Sequence, residues 1–260
     1  MRAAKQASPA ITTLGLLAAV VITTAMDVQG LSDFSALPLC PLMFALWYLT
    51  GLSRREMGFA WGAPRHHALA LIHPLAVIGA ATAIAIAAGA VNFEETDWAR
   101  ALANFGLIAV STFLVAIVTE EGFFRGWLWG ALARSMRSDE SVLILSSLAF
   151  ALWHASAVLL PTGFDIPRAQ VPVFLANATL LGATWGVLRW RSGSLIVASV
   201  SHGLWNGLAY SLFGFGAQSG ALGVSDTALF GPEVGLFGLG LNAAFLAALW
   251  FSTRPRSSIG

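Results

Sequence analysis

Glu120, Glu121 and Arg125 stand within TEEGFFRGWLW, residues 119–129, inside an otherwise apolar stretch. His154 sits in a second such stretch, and His202 with Asn206 in a third. On a helix, residues four apart share a face. Glu121 and Arg125 can therefore form an ion pair across one turn, while Glu120 points about 100° away from Glu121. One glutamate is neutralised and the other left free. A free carboxylate in a low-dielectric interior suits a group that must take and return a proton. His202 and Asn206 are also four apart and offer two side-chain donors aimed in one direction, which a developing oxyanion requires. An activated nucleophile and a stabilised oxyanion are the two needs of amide hydrolysis. Ser199 and Ser201 flank His202 without a nucleophile elbow. Glu120, His154 and His202 could instead bind zinc, although the H-E-x-x-H spacing is absent. The competing structural reading is that these charges only hold helices together, and that His154 is bonded to a neighbouring carbonyl.

Groups of this kind need elements that place them together, and the composition says what those are. Of the 260 residues, 57% are hydrophobic and 10% charged, and mean hydropathy is +0.75. Such a chain is a polytopic membrane protein. A net charge of +1 gives no field that would favour nucleic acid. Cys40, the single cysteine, rules out an internal disulfide and is expected to pack as a small apolar residue. Eight stretches are apolar enough to span or nearly so: 9–27, 35–52, 69–91, 103–133, 141–160, 170–190, 194–215 and 232–252. The first is expected to be a retained span rather than a signal peptide. The fourth exceeds one crossing and is expected to tilt or project beyond the bilayer. SRREMGFAWGAPRHH, between the second and third, reads as a connection lying on the surface.

Lys and Arg gather on the cytoplasmic side of short loops. With eight spans and a cytoplasmic N-terminus, eleven basic residues fall inside: Arg2, Lys5, Arg54, Arg55, Arg65, Arg134, Arg137, Arg189, Arg191, Arg254 and Arg256. Two, Arg100 and Arg168, fall outside. Both termini are thus expected in the cytoplasm, and the outer segments carry Asp27, Asp33, Glu94, Glu95, Asp97, Asp165 and Asp226. The expected fold is an all-α bundle of about eight transmembrane helices forming one membrane-embedded domain over 1–260. At a rise of about 1.5 Å per residue, Glu120 lies roughly 20 Å from Arg134, His154 roughly 20 Å from Ser141, and His202 roughly 12 Å from Ser194, so the three can meet. His66, His67 and His73 receive no role, and Trp127, Trp129, Trp153, Trp185 and Trp205 are expected to pack between helices or at the interface.

Glu120-Glu121-x-x-x-Arg125, then Phe150-x-x-x-His154, then His202-x-x-x-Asn206, in that order on separate spans, resembles the CPBP family of intramembrane proteases: the type II CAAX prenyl endopeptidases and their bacterial "CAAX protease self-immunity" relatives. The motif-bearing core runs from about 103 to 215. The resemblance implies an active-site cavity open to the cytoplasmic side of a membrane, for bacterial relatives the cytoplasmic membrane, and hydrolysis of a membrane-associated protein or peptide by a glutamate-activated water. On that basis Glu120 is the general base, His154 helps hold the water, and His202 and Asn206 stabilise the oxyanion. Glu121 and Arg125 are supporting, and Phe150 packs or lines the pocket. No cofactor is expected, zinc on Glu120, His154 and His202 being the rival arrangement. The readings from other classes are a proton-coupled transporter and a non-catalytic membrane binding protein.

Overall fold

The computed structural model describes residues 9–253 except Glu95, Gly163, Asp165 and Ala217. Arg2, Lys5, Arg254, Arg256, Glu95 and Asp165, which entered the charge pattern, lie outside the described residues. With backbone polar groups satisfied inside each segment, helices are the form this apolar chain takes in lipid. In chain order they are α1 (Pro9–Val28), α2 (Leu39–Thr50), the short α3 (Arg54–Met57), α4 (Pro64–Ala87), α5 (Trp98–Ala116), a π-helical segment (Gly122–Leu128) running into α6 (Trp129–Ser135), α7 (Asp139–Trp153), the short α8 (Ala155–Leu159), α9 (Val171–Ser192), α10 (Leu195–Leu212), the short α11 (Thr227–Phe230) and α12 (Leu236–Thr253). A two-residue antiparallel pair, β1 (Gly214–Phe215) with β2 (Gln218–Ser219), makes a hairpin after α10. The all-α membrane bundle is as expected.

Six helical stretches among the described residues are long and apolar enough to cross a membrane: 9–28, 32–50, 64–87, 98–116, 139–159 and 168–192. The last expected span is α12, whose apolar run is shorter, and the seventh is α10, which carries His202, Trp205 and Asn206. Local caps start the helices around the site. Asp97 accepts from Arg100 N at 2.9 Å, Ser138 from Ser141 N at 3.2 Å and Ser194 from Val197 N at 3.3 Å. Each fixes where α5, α7 and α10 begin.

The fourth stretch differs from its reading as one long helix. α5 ends at Ala116, a turn covers 117–119, and the chain resumes as a helix at Glu120. α5 faces outward along most of its length, whereas Gly122–Ala131 is buried throughout. The break lets an apolar outer helix hand over to an inner one that carries charge. Within SRREMGFAWGAPRHH the structure adds a short helix: α3 is fixed by a capping box between Ser53 and Glu56. Its Met57 is fully buried, against Gly126. The connection lies over one end of the bundle as expected, with Arg54, Arg55, Trp61 and Arg65 exposed, and closes that end by inserting Met57.

α10 is the central element. It packs on α5 through Gly203 and Gly207, where a Cβ would come within 2.6 Å of Ala109 O and 2.7 Å of Ala109 Cβ. Small residues four apart allow such close approach of helices where no hydrophobic effect drives them together. His202 and Asn206 follow from the same turns and line the cavity on α10.

Candidate active site

Glu120 begins the inner helix directly after the turn at 117–119. Its Oε2 lies 3.8 Å from His154 Nε2 and 3.9 Å from His202 Nε2. These separations exceed a direct hydrogen bond and leave a small polar gap between three side chains from three helices. His154 occupies the break between α7 and α8, and its Nδ1 donates to Phe150 O at 2.9 Å. A carbonyl only accepts, so Nδ1 carries the hydrogen and the neutral ring keeps its lone pair on Nε2, the atom facing Glu120.

Glu121 is fully buried and pairs with Arg125 NH1 at 3.4 Å, as the spacing predicts. It also accepts from His202 Nδ1 at 3.1 Å, a contact the sequence did not reveal. Arg125, likewise fully buried, donates to Gly182 O at 3.1 Å. Its guanidinium lies 4.2 Å from the centre of the Phe150 ring and 5.4 Å from that of Trp185. Among the described residues Arg125 Nε and NH1 have no hydrogen-bond partner, so the rings supply part of what burial removes. Phe150 is thus a packing partner of Arg125 and also lines the cavity. Trp185 stacks on the His202 ring at 4.0 Å with 16° between planes, fixing the imidazole that Glu121 orients.

These residues line a cavity of about 530 Å³. Glu120, Phe150, His154, His202 and Asn206 all face it, and it continues past Tyr210 to Ser32, Thr162, Phe215 and Gln218. The loops after α1, α8 and α10 therefore form its mouth, and Ser32 Oγ donates to Thr162 O there at 2.6 Å. The opposite end holds the arginines. Arg134 clamps Glu56 at 2.6 Å, and Arg189 donates to Glu56 O at 2.8 Å and to Arg125 O at 3.0 Å. A cavity open to the cytoplasm and an arginine-rich end in the cytoplasm, both expected from the sequence, therefore exclude each other.

Three acidic or basic side chains escaped the sequence reading. Glu233 lines the cavity and accepts from Trp205 Nε1 at 2.8 Å. Asp27, expected in an outer loop, is 1% exposed in the last turn of α1 and lines the cavity. His73, given no role, is fully buried: its Nδ1 lies 2.9 Å from Ser201 Oγ and its Nε2 3.3 Å from Asn242 Oδ1. This serine, histidine and amide imitate a nucleophile with its base. All three are buried away from the cavity wall, however, and Asn242 continues to Asn177, which binds the carbonyls of Pro232 and Glu233. The chain ties α4, α9, α10 and α12 together. The available signal for Glu233 was its place as the one charged residue within the apolar stretch 232–252.

Zinc fits this arrangement poorly. Tetrahedral ligands at about 2.0–2.1 Å from the ion stand roughly 3.3 Å apart. The carboxylate oxygen and each imidazole nitrogen are wider apart than that, and among the described residues no group of three His, Cys, Asp or Glu side chains is arranged for a metal.

Residues 102–208 match the family described as Type II CAAX prenyl endopeptidase Rce1-like. The matched segment holds Glu120, Glu121, Arg125, Phe150, His154, His202 and Asn206. No curated protein and no solved structure matches the chain.

Proposed function

From the match of residues 102–208 to the type II CAAX prenyl endopeptidase Rce1-like family, we propose that the chain hydrolyses a peptide bond of a membrane-associated protein or peptide with a water activated by Glu120 and without a metal ion. The observation that carries this reading is the position of Glu120 Oε2 between two imidazoles, 3.8 and 3.9 Å from their Nε2 atoms, on the wall of a cavity that also presents Asn206.

A water in that gap donates one hydrogen to Glu120 and the other to the lone pair on His154 Nε2. Its own lone pair is then free to attack the substrate carbonyl. Glu120 takes the proton as the carbon–oxygen bond forms and returns it to the departing amine. The tetrahedral oxyanion accepts from Asn206 Nδ2 and from His202 Nε2. For His202 to donate there, its ring must carry both hydrogens, because Nδ1 already donates to Glu121. Glu121 and Arg125 act by orienting His202 rather than by touching substrate.

The test is proteolysis of candidate membrane substrates by purified protein in lipid. Glu120→Gln should lower the rate by about 10³-fold or more and His154→Ala, His202→Ala and Asn206→Ala by about 10²-fold or more, within the range for lost general bases and oxyanion donors. A chelator should leave the wild-type rate unchanged. Full activity of Glu120→Gln would defeat the mechanism, and loss of activity on chelation, restored by zinc, would replace it with a metal-dependent one.

A further inference from the structure

Asp27 stands apart among the acids of the cavity. Four line it: Asp27, Asp33, Glu120 and Glu233. Asp33 is exposed at the mouth, Glu120 faces the two imidazoles, and Glu233 holds Trp205. Asp27 is buried at 1% exposure, and among the described residues neither carboxylate oxygen has a hydrogen-bond partner. The described residues lining the cavity include no Lys or Arg, and the remaining charged or titratable groups there are His154, His202 and Tyr210. A carboxylate withdrawn from water without a partner is costly. Such a cost is offset when a cation arrives, and the same cost rejects ligands that bring none.

The position of Asp27 says where that cation would sit. Thr23, one turn earlier on α1, accepts from Trp153 Nε1 at 2.6 Å, and the Trp153 ring packs edge-on against His154 at 4.6 Å. Thr23 is therefore level with the reacting groups. Asp27 lies four residues nearer the mouth, about 6 Å by helical rise.

We propose that Asp27 is a substrate subsite for a single positive charge, a lysine or arginine side chain within about two residues of the scissile bond, since an extended peptide advances about 3.3 Å per residue. This deepens the hydrolytic reading and rests on it for the bond's location, while the binding preference stands on Asp27 itself.

The probes are short apolar peptides, N-acetylated and C-amidated, each with one lysine or a norleucine in its place, stepped along the sequence. Binding to the full chain in lipid nanodiscs is followed by fluorescence anisotropy. For the wild type, the lysine peptide of one register should bind at least about 10-fold more tightly than its norleucine twin, the scale of a desolvated charge pair. Asp27→Asn, which keeps the shape, should remove that difference, and Asp27→Glu should keep it. Equal binding of the two series by the wild type overturns the subsite. So does a lysine preference that survives Asp27→Asn, or an equal loss for both series in that variant, which would mark Asp27 as packing. Cleavage of the same peptides is read separately. A lysine preference with no cleavage of any peptide counts against hydrolysis and leaves the subsite standing.

Discussion

Two neighbouring carboxylates in one apolar turn have been given opposite surroundings, and the consequence is open to measurement. Glu121 is closed in by Arg125 and His202, with the rings of Phe150 and Trp185 against the guanidinium. Glu120 keeps 18% of its side chain exposed, towards the cavity. Breaking a buried ion pair strands its partner and costs about 3–5 kcal/mol, whereas removing both members costs far less than twice that. Glu121→Gln and Arg125→Met should therefore each destabilise strongly in unfolding titrations, and the double variant should be no worse than either. Glu120→Gln should leave stability nearly unchanged while it abolishes cleavage. Additive losses in the double variant would mean that the pair is not coupled. Spacing revealed this pair because four residues on a helix is a fixed geometry. The His202–Glu121 bond, 81 positions apart in the chain, and the isolation of Asp27 could not be read that way. They depend on which helix faces which, and no local pattern in an apolar sequence encodes that.

The site also depends on two irregular elements. The turn at 117–119 and the π-helical Gly122–Leu128 bring a charged face inward at the point where a single long helix was expected. Such π segments recur at functional sites, but periodicity averages over them, so an apolar run of this length reads as one span. The break of α7 at His154 was hidden for the same reason. The packing of α10 on α5 is open to a direct test. Gly207→Val must push against Ala109 and the carbonyl of Phe105. It should cost about 1–3 kcal/mol by overpacking and displace Asn206, so thermal stability and cleavage should fall together. Gly106→Ala on α5 meets no neighbour within 4 Å and should be neutral or slightly stabilising. Equal behaviour of the two variants would show that α10 does not rest on α5 through its glycines. At the closed end, the Arg134 guanidinium beside Glu56 lowers that carboxyl from 4.5 to about 2. A pKa lowered in the folded state contributes stability that is present above pH 4.5 and lost as pH falls towards 2. The melting temperature of the wild type should therefore drop over that interval relative to Glu56→Gln, and parallel curves would remove the clamp from the account.

For the whole molecule, the bundle's two ends differ in charge, and this decides which compartment the cavity opens to. Arg54, Arg55, Arg65, Arg134, Arg137, Arg189 and Arg191 lie at the end closed by α3, and the cavity's mouth is at the other, among Asp27, Asp33 and Gln218. Arginine and lysine in short loops fix orientation because they resist translocation, whereas acidic residues contribute little. The closed end is therefore expected in the cytoplasm and the mouth on the far side, where the resemblance alone implied the reverse. Orientation can be read in intact cells with a membrane-impermeant maleimide on a Cys40→Ala background. Ser219→Cys, exposed on the hairpin beside the mouth, should label from outside. Ser135→Cys, exposed at the end of α6, should label after the membrane is opened. The reverse pattern would place the mouth in the cytoplasm and make this chain an exception to the charge rule, with its substrates presented from the side of synthesis.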